Sequence, residues 1–282
     1  MKFQPLFPLA MLAGLAFTGC SKDSESDAQN TAKLEVRLTD APGDFSRVSL
    51  DVQKIEVHLK EENDPLGWEF LPFTPQALNI LDYVNGRSAL LVSTDFAPGD
   101  LKEIRLILGP NSTVTTRDGQ IYELKTPSGQ TSGVKLKLDK VTLRQRETFQ
   151  LLLDFDVAKS IVERGNWKPG NDKKERFLLK PVIRLVAQEI AGGLYGQVTP
   201  AASLPQILAI RSSLTPADTF STSADATGAF QLQALPSGTY RVEVFPTTTA
   251  PDKQPAYHPV TRTGVVVVNN QATNVGTVSV IN

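Results

Sequence analysis

Alternation of apolar and polar residues runs through most of the chain from Leu34 onward. Leu34-Glu35-Val36-Arg37-Leu38 and Val48-Ser49-Leu50-Asp51-Val52 each place an apolar side chain at every second position, the spacing that buries one face of a strand. Ile55-Glu56-Val57-His58-Leu59-Lys60 continues the pattern one residue out of step. Such a slip moves every side chain to the other face unless a bulge absorbs it, so a bulge is predicted near Gln53-Lys54. Further strands are predicted over 103–108, 112–116, 121–125, 134–138, 147–155 and 178–187, and Asp118-Gly119 supplies a hairpin turn between two of them. Two short stretches, 77–84 and 157–164, predict helical turns, the second stopped by Gly165. Residues 167–172 read as an exposed loop.

The pattern changes after Glu189. Ala191-Gly192-Gly193 reads as a hinge, and the chain beyond it is poor in charge and rich in Thr, Val, Ala and Pro. Seven short strands, over 194–198, 206–211, 220–224, 228–232, 238–245, 263–268 and 276–280, predict a small β-sandwich. Pro98-Gly99 and Pro236-Ser237-Gly238 each precede an alternating strand. Proline fixes one φ and glycine permits a positive one, so both read as the same sandwich corner. The fold class expected is all-β: two antiparallel β-sandwich-like domains in tandem, over 33–189 and 190–282, with one or two short helices in the first.

The N-terminal stretch carries a different message. Lys2 is followed by an apolar run from Leu6 to Phe17 and then by Gly19-Cys20. A cationic start, a short apolar middle and a small residue before the cut describe an export signal. Twelve residues from Leu6 to Phe17 fall short of the ~20 that a membrane-spanning helix needs. The arrangement resembles a bacterial lipoprotein signal, which implies removal of residues 1–19 and lipidation of Cys20. Residues 20–32 then form a polar tether without apolar anchors. Its acidic cluster, Asp23, Glu25 and Asp27, resembles the surface-export signal of Bacteroidetes lipoproteins. The resemblance implies an outward-facing outer-membrane protein, with the periplasmic face as the alternative.

Leu38-Thr39-Asp40-Ala41-Pro42-Gly43-Asp44, Gly129-Gln130-Thr131-Ser132-Gly133-Val134-Lys135-Leu136, Asp154-Phe155-Asp156-Val157 and Leu179-Lys180-Pro181-Val182-Ile183-Arg184 resemble, in that set, a bacterial lipoprotein family known only as a domain of unknown function. The resemblance spans about residues 33–188 and brings no activity with it. In the second region, Gly193-Leu194-Tyr195-Gly196-Gln197-Val198, Ala226-Thr227-Gly228-Ala229-Phe230 and the stretch 235–244 resemble the carboxypeptidase regulatory-like (transthyretin-like) sandwich. That architecture is shared with carbohydrate-binding folds, and sugar binding follows from it by analogy alone.

Charge and composition narrow the chemistry. The chain has 29 Lys+Arg and 30 Asp+Glu. Lys2 is the one charged residue before Cys20, so 28 cations face 30 anions from Cys20 on, a net charge of −2. No basic stripe suggests nucleic acid. Cys20 is the single cysteine and there are two histidines, which leaves little material for soft-metal or redox chemistry and none for a disulfide. No nucleophile-elbow motif is present.

The remaining candidates are carboxylates and aromatics. Asp40 and Asp44, in a loop leaving a strand, offer oxygen ligands for Ca²⁺; the alternative is that Asp40 caps a turn and Asp44 faces water. Asp154 and Asp156 alternate on one strand about 7 Å apart, which permits a glycosidase acid–base pair or a share in the Ca²⁺ site, or else two solvent-facing strand residues. His58 and His258 read as surface residues. Trp68, Trp167, Tyr195 and Tyr257 lie near loops and are candidate sugar-stacking rings, or else close core edges. The reading expected is a non-enzymatic, lipid-anchored envelope protein acting as an interaction module, without a required cofactor. It engages the membrane through its lipid and a glycan or envelope protein as partner. The alternatives are a glycan-binding surface lipoprotein, with or without Ca²⁺, and a carboxylate-dependent glycoside hydrolase.

Overall fold

The computed structural model describes residues 30–41, 43–59, 67–126, 132–168, 170, 176–187, 191–211, 217–251 and 256–281. Cys20 and the tether residues 20–29 lie outside them. The first region contains β1 (Ala32–Ala41), β2 (Arg47–His58), β3 (Trp68–Phe70), β4 (Gln76–Asn79), β5 (Ala89–Phe96), β6 (Gly99–Leu108), β7 (Thr113–Thr115) and β8 (Ile121–Lys125). It continues with β9 (Val134–Leu143), β10 (Thr148–Asp156), β11 (Ile161–Glu163), β12 (Phe177–Leu179) and β13 (Ile183–Ala187). Two sheets face each other: β13-β10-β1-β5, and β11-β12-β8-β7-β2-β6-β9 with β3 and β4 added along β2. Leu34, Val36, Leu38, Leu151, Leu153 and Phe155 from the first sheet pack against Val48, Leu50, Val52, Ile55, Ile104 and Leu106 from the second.

The bulge in β2 is where the alternation slips: the register against β6 shifts between Val52 and Lys54, so Ile55 and Val57 return to the core face. Asp118-Gly119 closes the β7–β8 hairpin, with Gly119 at positive φ. Other expectations give way. The stretch 77–84 is strand β4 followed by one 3₁₀ turn, Ile80–Tyr83, and 157–164 is one helical turn, Val157–Ser160, followed by β11. The single strand expected over 178–187 breaks at Lys180-Pro181 into β12 and β13, which belong to different sheets; a proline has no N–H for a central ladder. Strand β5 has no period-two signal because Leu91 is bulged out between the Val36–Val92 and Arg37–Leu90 pairs.

The second region contains β14 (Ala191–Thr199), β15 (Gln206–Arg211), β16 (Asp218–Ser223), β17 (Ala229–Pro236), β18 (Gly238–Phe245), β19 (Val260–Val267) and β20 (Ala272–Ser279). They form a sandwich of β17-β14-β20 on β16-β15-β18-β19, with its own core of Leu194, Val198, Ile207, Phe220, Tyr240, Val242 and Val244. The expected corner is shared by both domains: Gly99 has φ 154° and Gly238 φ 155° at the starts of β6 and β18. The chain is all-β and built as sandwiches, mostly antiparallel; β1–β10, β8–β12 and β14–β20 run parallel.

Candidate functional site

The residues with most chemistry gather where the two domains meet. Asp40 was expected in a loop, but β1 continues through Ala41 beside β10, which buries Asp40 at the strand end. Asp154 and Asp156 were expected to face solvent; both are 6% exposed. The reason is that β10 is buried on both faces, one by its own core and the other, at its C-terminal end, by the second domain.

Asp154 stands opposite Arg184 across the β10–β13 pair. Arg184 Nη2 lies 2.6 Å from its Oδ2 and Nε donates to the same oxygen at 3.0 Å. The same guanidinium donates from Nη1 to the Thr219 carbonyl at 3.0 Å and stacks 3.9 Å from the centre of the Phe220 ring. One side chain therefore neutralises a buried carboxylate and grips β16. Burial raises the Asp154 pKa above the ordinary carboxylate value, and Arg184 opposes that shift. Asp156 has separate work. Its Oδ1 accepts the Lys159 backbone N–H at 3.0 Å and its Oδ2 the Lys159 ammonium at 2.6 Å, capping the helical turn.

A second grip comes from the turn after the 3₁₀ segment. Thr39 Oγ1 lies 2.8 and 2.9 Å from the carbonyls of Tyr83 and Arg87, holding the turn between them. Asn85 and Gly86 both have positive φ, 57° and 78°, as Asn-Gly permits at the centre of a type I′ turn. Asn85 then pairs its carboxamide with the edge of β17: Nδ2 donates to the Ala229 carbonyl at 3.1 Å and Oδ1 accepts the Gln231 N–H at 2.5 Å. Gln233 Nε2 donates to the Gly86 carbonyl at 3.1 Å. A Cβ on Gly86 would meet Gln231 Oε1 at 2.6 Å. The sandwich edge formed by β16 and β17 is thereby covered, the usual remedy for exposed strand edges.

Between these grips remains a cavity of about 20 Å³ lined by Thr39, Asp154, Arg184, Phe220, Thr222 and Gln231. That is room for about one water molecule, far below what a sugar ring occupies. Asp154 lines this cavity and Asp156 does not. Asp44 is exposed and paired with Arg117. Among the described residues no group of three or more His, Cys, Asp or Glu side chains is placed to hold a metal ion.

The aromatic candidates separate. Trp68 stands on the outer face of the larger sheet, opposite His58, with the Arg105 guanidinium 4.0 Å from its ring centre. Beneath that stack Arg105 is ion-paired with the buried Glu56. Trp167 packs at the edge of the core, edge-on to Tyr122, with Arg176 4.7 Å from both rings. The two tryptophans thus occupy opposite faces of one sheet and make no common stacking surface. Tyr195 is exposed on β14, and Tyr257 is half-buried against the second core. His258 is exposed as expected, whereas His58 is 1% exposed, covered by the Trp68 ring 4.9 Å away. Arg184, Asn85 and Gly86 are absent from the sequence-derived candidates: the only advance signal was the Asn-Gly pair, which marks a turn without saying what it touches.

A family model described as "Domain of unknown function (DUF4382)" matches residues 31–181, 151 of the 282 residues. The chain belongs to that family. The DUF4382 match covers β1 to β12 and ends just before β13, the strand that carries Arg184. No curated protein matches the chain. Among solved structures it is similar to a leucine-rich repeat protein from Bacteroides thetaiotaomicron, at 10% identity over 89% of this chain and 26% of that one, with a TM-score of 0.22. It is also similar to the Bacillus anthracis TIE protein, at 12% identity, 88% and 33% coverage and a TM-score of 0.21. A third is BcpA, the major pilin subunit of Bacillus cereus, at 9% identity, 88% and 99% coverage and a TM-score of 0.24. The chain spans about a quarter to a third of the length of the first two.

Proposed function

We propose that this DUF4382 protein is a non-enzymatic, lipid-anchored lipoprotein of the bacterial cell envelope, of the Bacteroidetes type, that acts as an interaction module. The carboxypeptidase regulatory-like sandwich serves as its rigid accessory domain. The observation that carries the reading is the use made of Asp154. That carboxylate, one of the pair considered for acid–base chemistry, is ion-paired with Arg184, which also holds the Thr219 carbonyl of the second domain, so it supports a joint between the domains. The Gly19-Cys20 sequence behind a short apolar run supports the anchor, and Asp23, Glu25 and Asp27 support an outward-facing position in the outer membrane. A diacylated cysteine retains a protein firmly where one chain does not. The partner is an envelope protein or glycan met at the cell surface.

Palmitate labelling in cells tests this reading. The wild type takes up label and partitions into detergent, while Cys20→Ala stays unlabelled. Label on the Cys20→Ala protein, or an unlabelled wild type, overturns it.

A further inference from the structure

The outer face of the larger sheet carries two rows of side chains that neither core absorbs. Phe70, Glu56, Arg105 and Lys135 stand abreast across β3, β2, β6 and β9; Trp68, His58, Glu103 and Lys137 form the next row. The two acids are buried, at 3% and 7% exposure. Cationic and aromatic groups reach solvent there: Lys54, Lys135 and Lys137 are exposed, and Phe70 is 69% exposed with the Lys54 ammonium 5.3 Å from its ring centre, while Asp100, opposite Thr142 further along the β6–β9 pair, is an exposed acid. Trp68 is half-buried beside Lys135, whose ammonium lies 5.6 Å from its ring.

We propose that this face rests on the anionic headgroup layer of the membrane that holds the Cys20 lipid. The proposal rests on the lipid-anchor reading above. Aromatic rings with lysines beside them suit the boundary between headgroups and acyl chains, and exposed lysines are drawn to an anionic leaflet within a Debye length. The chain length supplies the rest of the argument. Cys20–Gln29 is ten residues, at most ~36 Å when fully extended. The first strand then starts at Ala32 opposite Phe96, and Glu103 lies four residues into β6, ~13 Å along that strand. A tether this short keeps the face at high effective concentration over the bilayer, so a weak surface suffices.

The test uses the full lipidated protein reconstituted into vesicles of phosphatidylethanolamine and phosphatidylglycerol with brominated acyl chains, which quench nearby tryptophan. Trp68 and Trp167 are the two tryptophans, so Trp167→Phe and Trp68→Phe each leave one reporter. The expected result is loss of emission from Trp68 and none from Trp167, reversed by high salt and by Lys54→Glu/Lys135→Glu. That surface pair, made in the wild-type background, keeps the test valid should either tryptophan variant fold poorly. Flotation with the vesicles but unquenched Trp68 overturns the docking and leaves the anchor standing, whereas failure to float overturns the anchor. A Trp68 response to soluble polygalacturonate in the absence of lipid quenching assigns the face to an acidic glycan and overturns the docking.

Discussion

Arg184 and Asp154 face each other across a strand pair of the first domain, yet the guanidinium also holds the Thr219 carbonyl and the Phe220 ring of the second. A charge introduced to neutralise one carboxylate thereby fixes the geometry of two domains. Removing one partner of a buried pair leaves the other charge uncompensated, so Arg184→Met is expected to cost about 3–5 kcal/mol. Asp154→Asn combined with Arg184→Met is expected to recover much of it. Urea unfolding of the two single variants and the double variant measures both.

The same pair predicts a pH dependence. The folded-state pKa of Asp154 is raised by burial, so the folded protein holds this proton more tightly than the unfolded chain. Its contribution is present in full below the unfolded carboxylate value, ~3.9, and is lost as pH rises through the folded value. The stability of wild type relative to Asp154→Asn should therefore fall as pH rises from about 4. Melting temperatures of both proteins across the acidic range test the sign.

Asn85→Ala deletes both hydrogen bonds to the edge of β17, and alanine is strained at a φ of 57°. The expected loss is about 1–3 kcal/mol. Hydrogen exchange locates it: the Gln231 amide speeds up, while core amides of β2 and β6 do not.

Tyr240 is a buried ring whose hydroxyl donates to the Pro236 carbonyl at 2.7 Å, and burial pushes its pKa up to about 12. Tyrosine absorbance on alkaline titration should show a group ionising at about 12. The folded value lies above the unfolded one, so its stabilising contribution, intact below about 10, is lost as pH rises towards 12. Tyr240→Phe removes that alkaline sensitivity and costs about 1 kcal/mol at neutral pH.

Calcium gives a further test. Asp44, Asp154 and Asp156 are each engaged by a cation of the protein itself, Arg117, Arg184 and Lys159. A ligand that binds the folded state raises the melting temperature by mass action. Neither Ca²⁺ nor a chelator is expected to shift it; a saturable rise with Ca²⁺ would show that the aspartates gather around the ion.

Most longer strands were legible because period-two alternation is a local consequence of burying one sheet face, and even the β2 bulge announced itself as a slip between Val52 and Ile55; β5 and the short β3, β4 and β11 carried no such signal. Residues 77–84 and 157–164 misled for the same local reason: two turns of apolar spacing do not separate a short strand and a tight turn from a helix. The break at Pro181 was written in the chain, but which sheet each half joins depends on partners distant in sequence.

For the candidate site the division is sharper. Sequence alone determined the all-β class, the β-sandwich patterning and the supply of carboxylates at Asp40, Asp44, Asp154 and Asp156. Tertiary structure decided what those carboxylates do. Alternation reports one face of β10 as apolar and assigns the other to water, because it carries no information about a second domain. Docking β16 and β17 over that polar face took Asp154 out of solvent, and a buried charge requires a partner. Arg184, thirty residues along the chain, became that partner only once β13 lay beside β10.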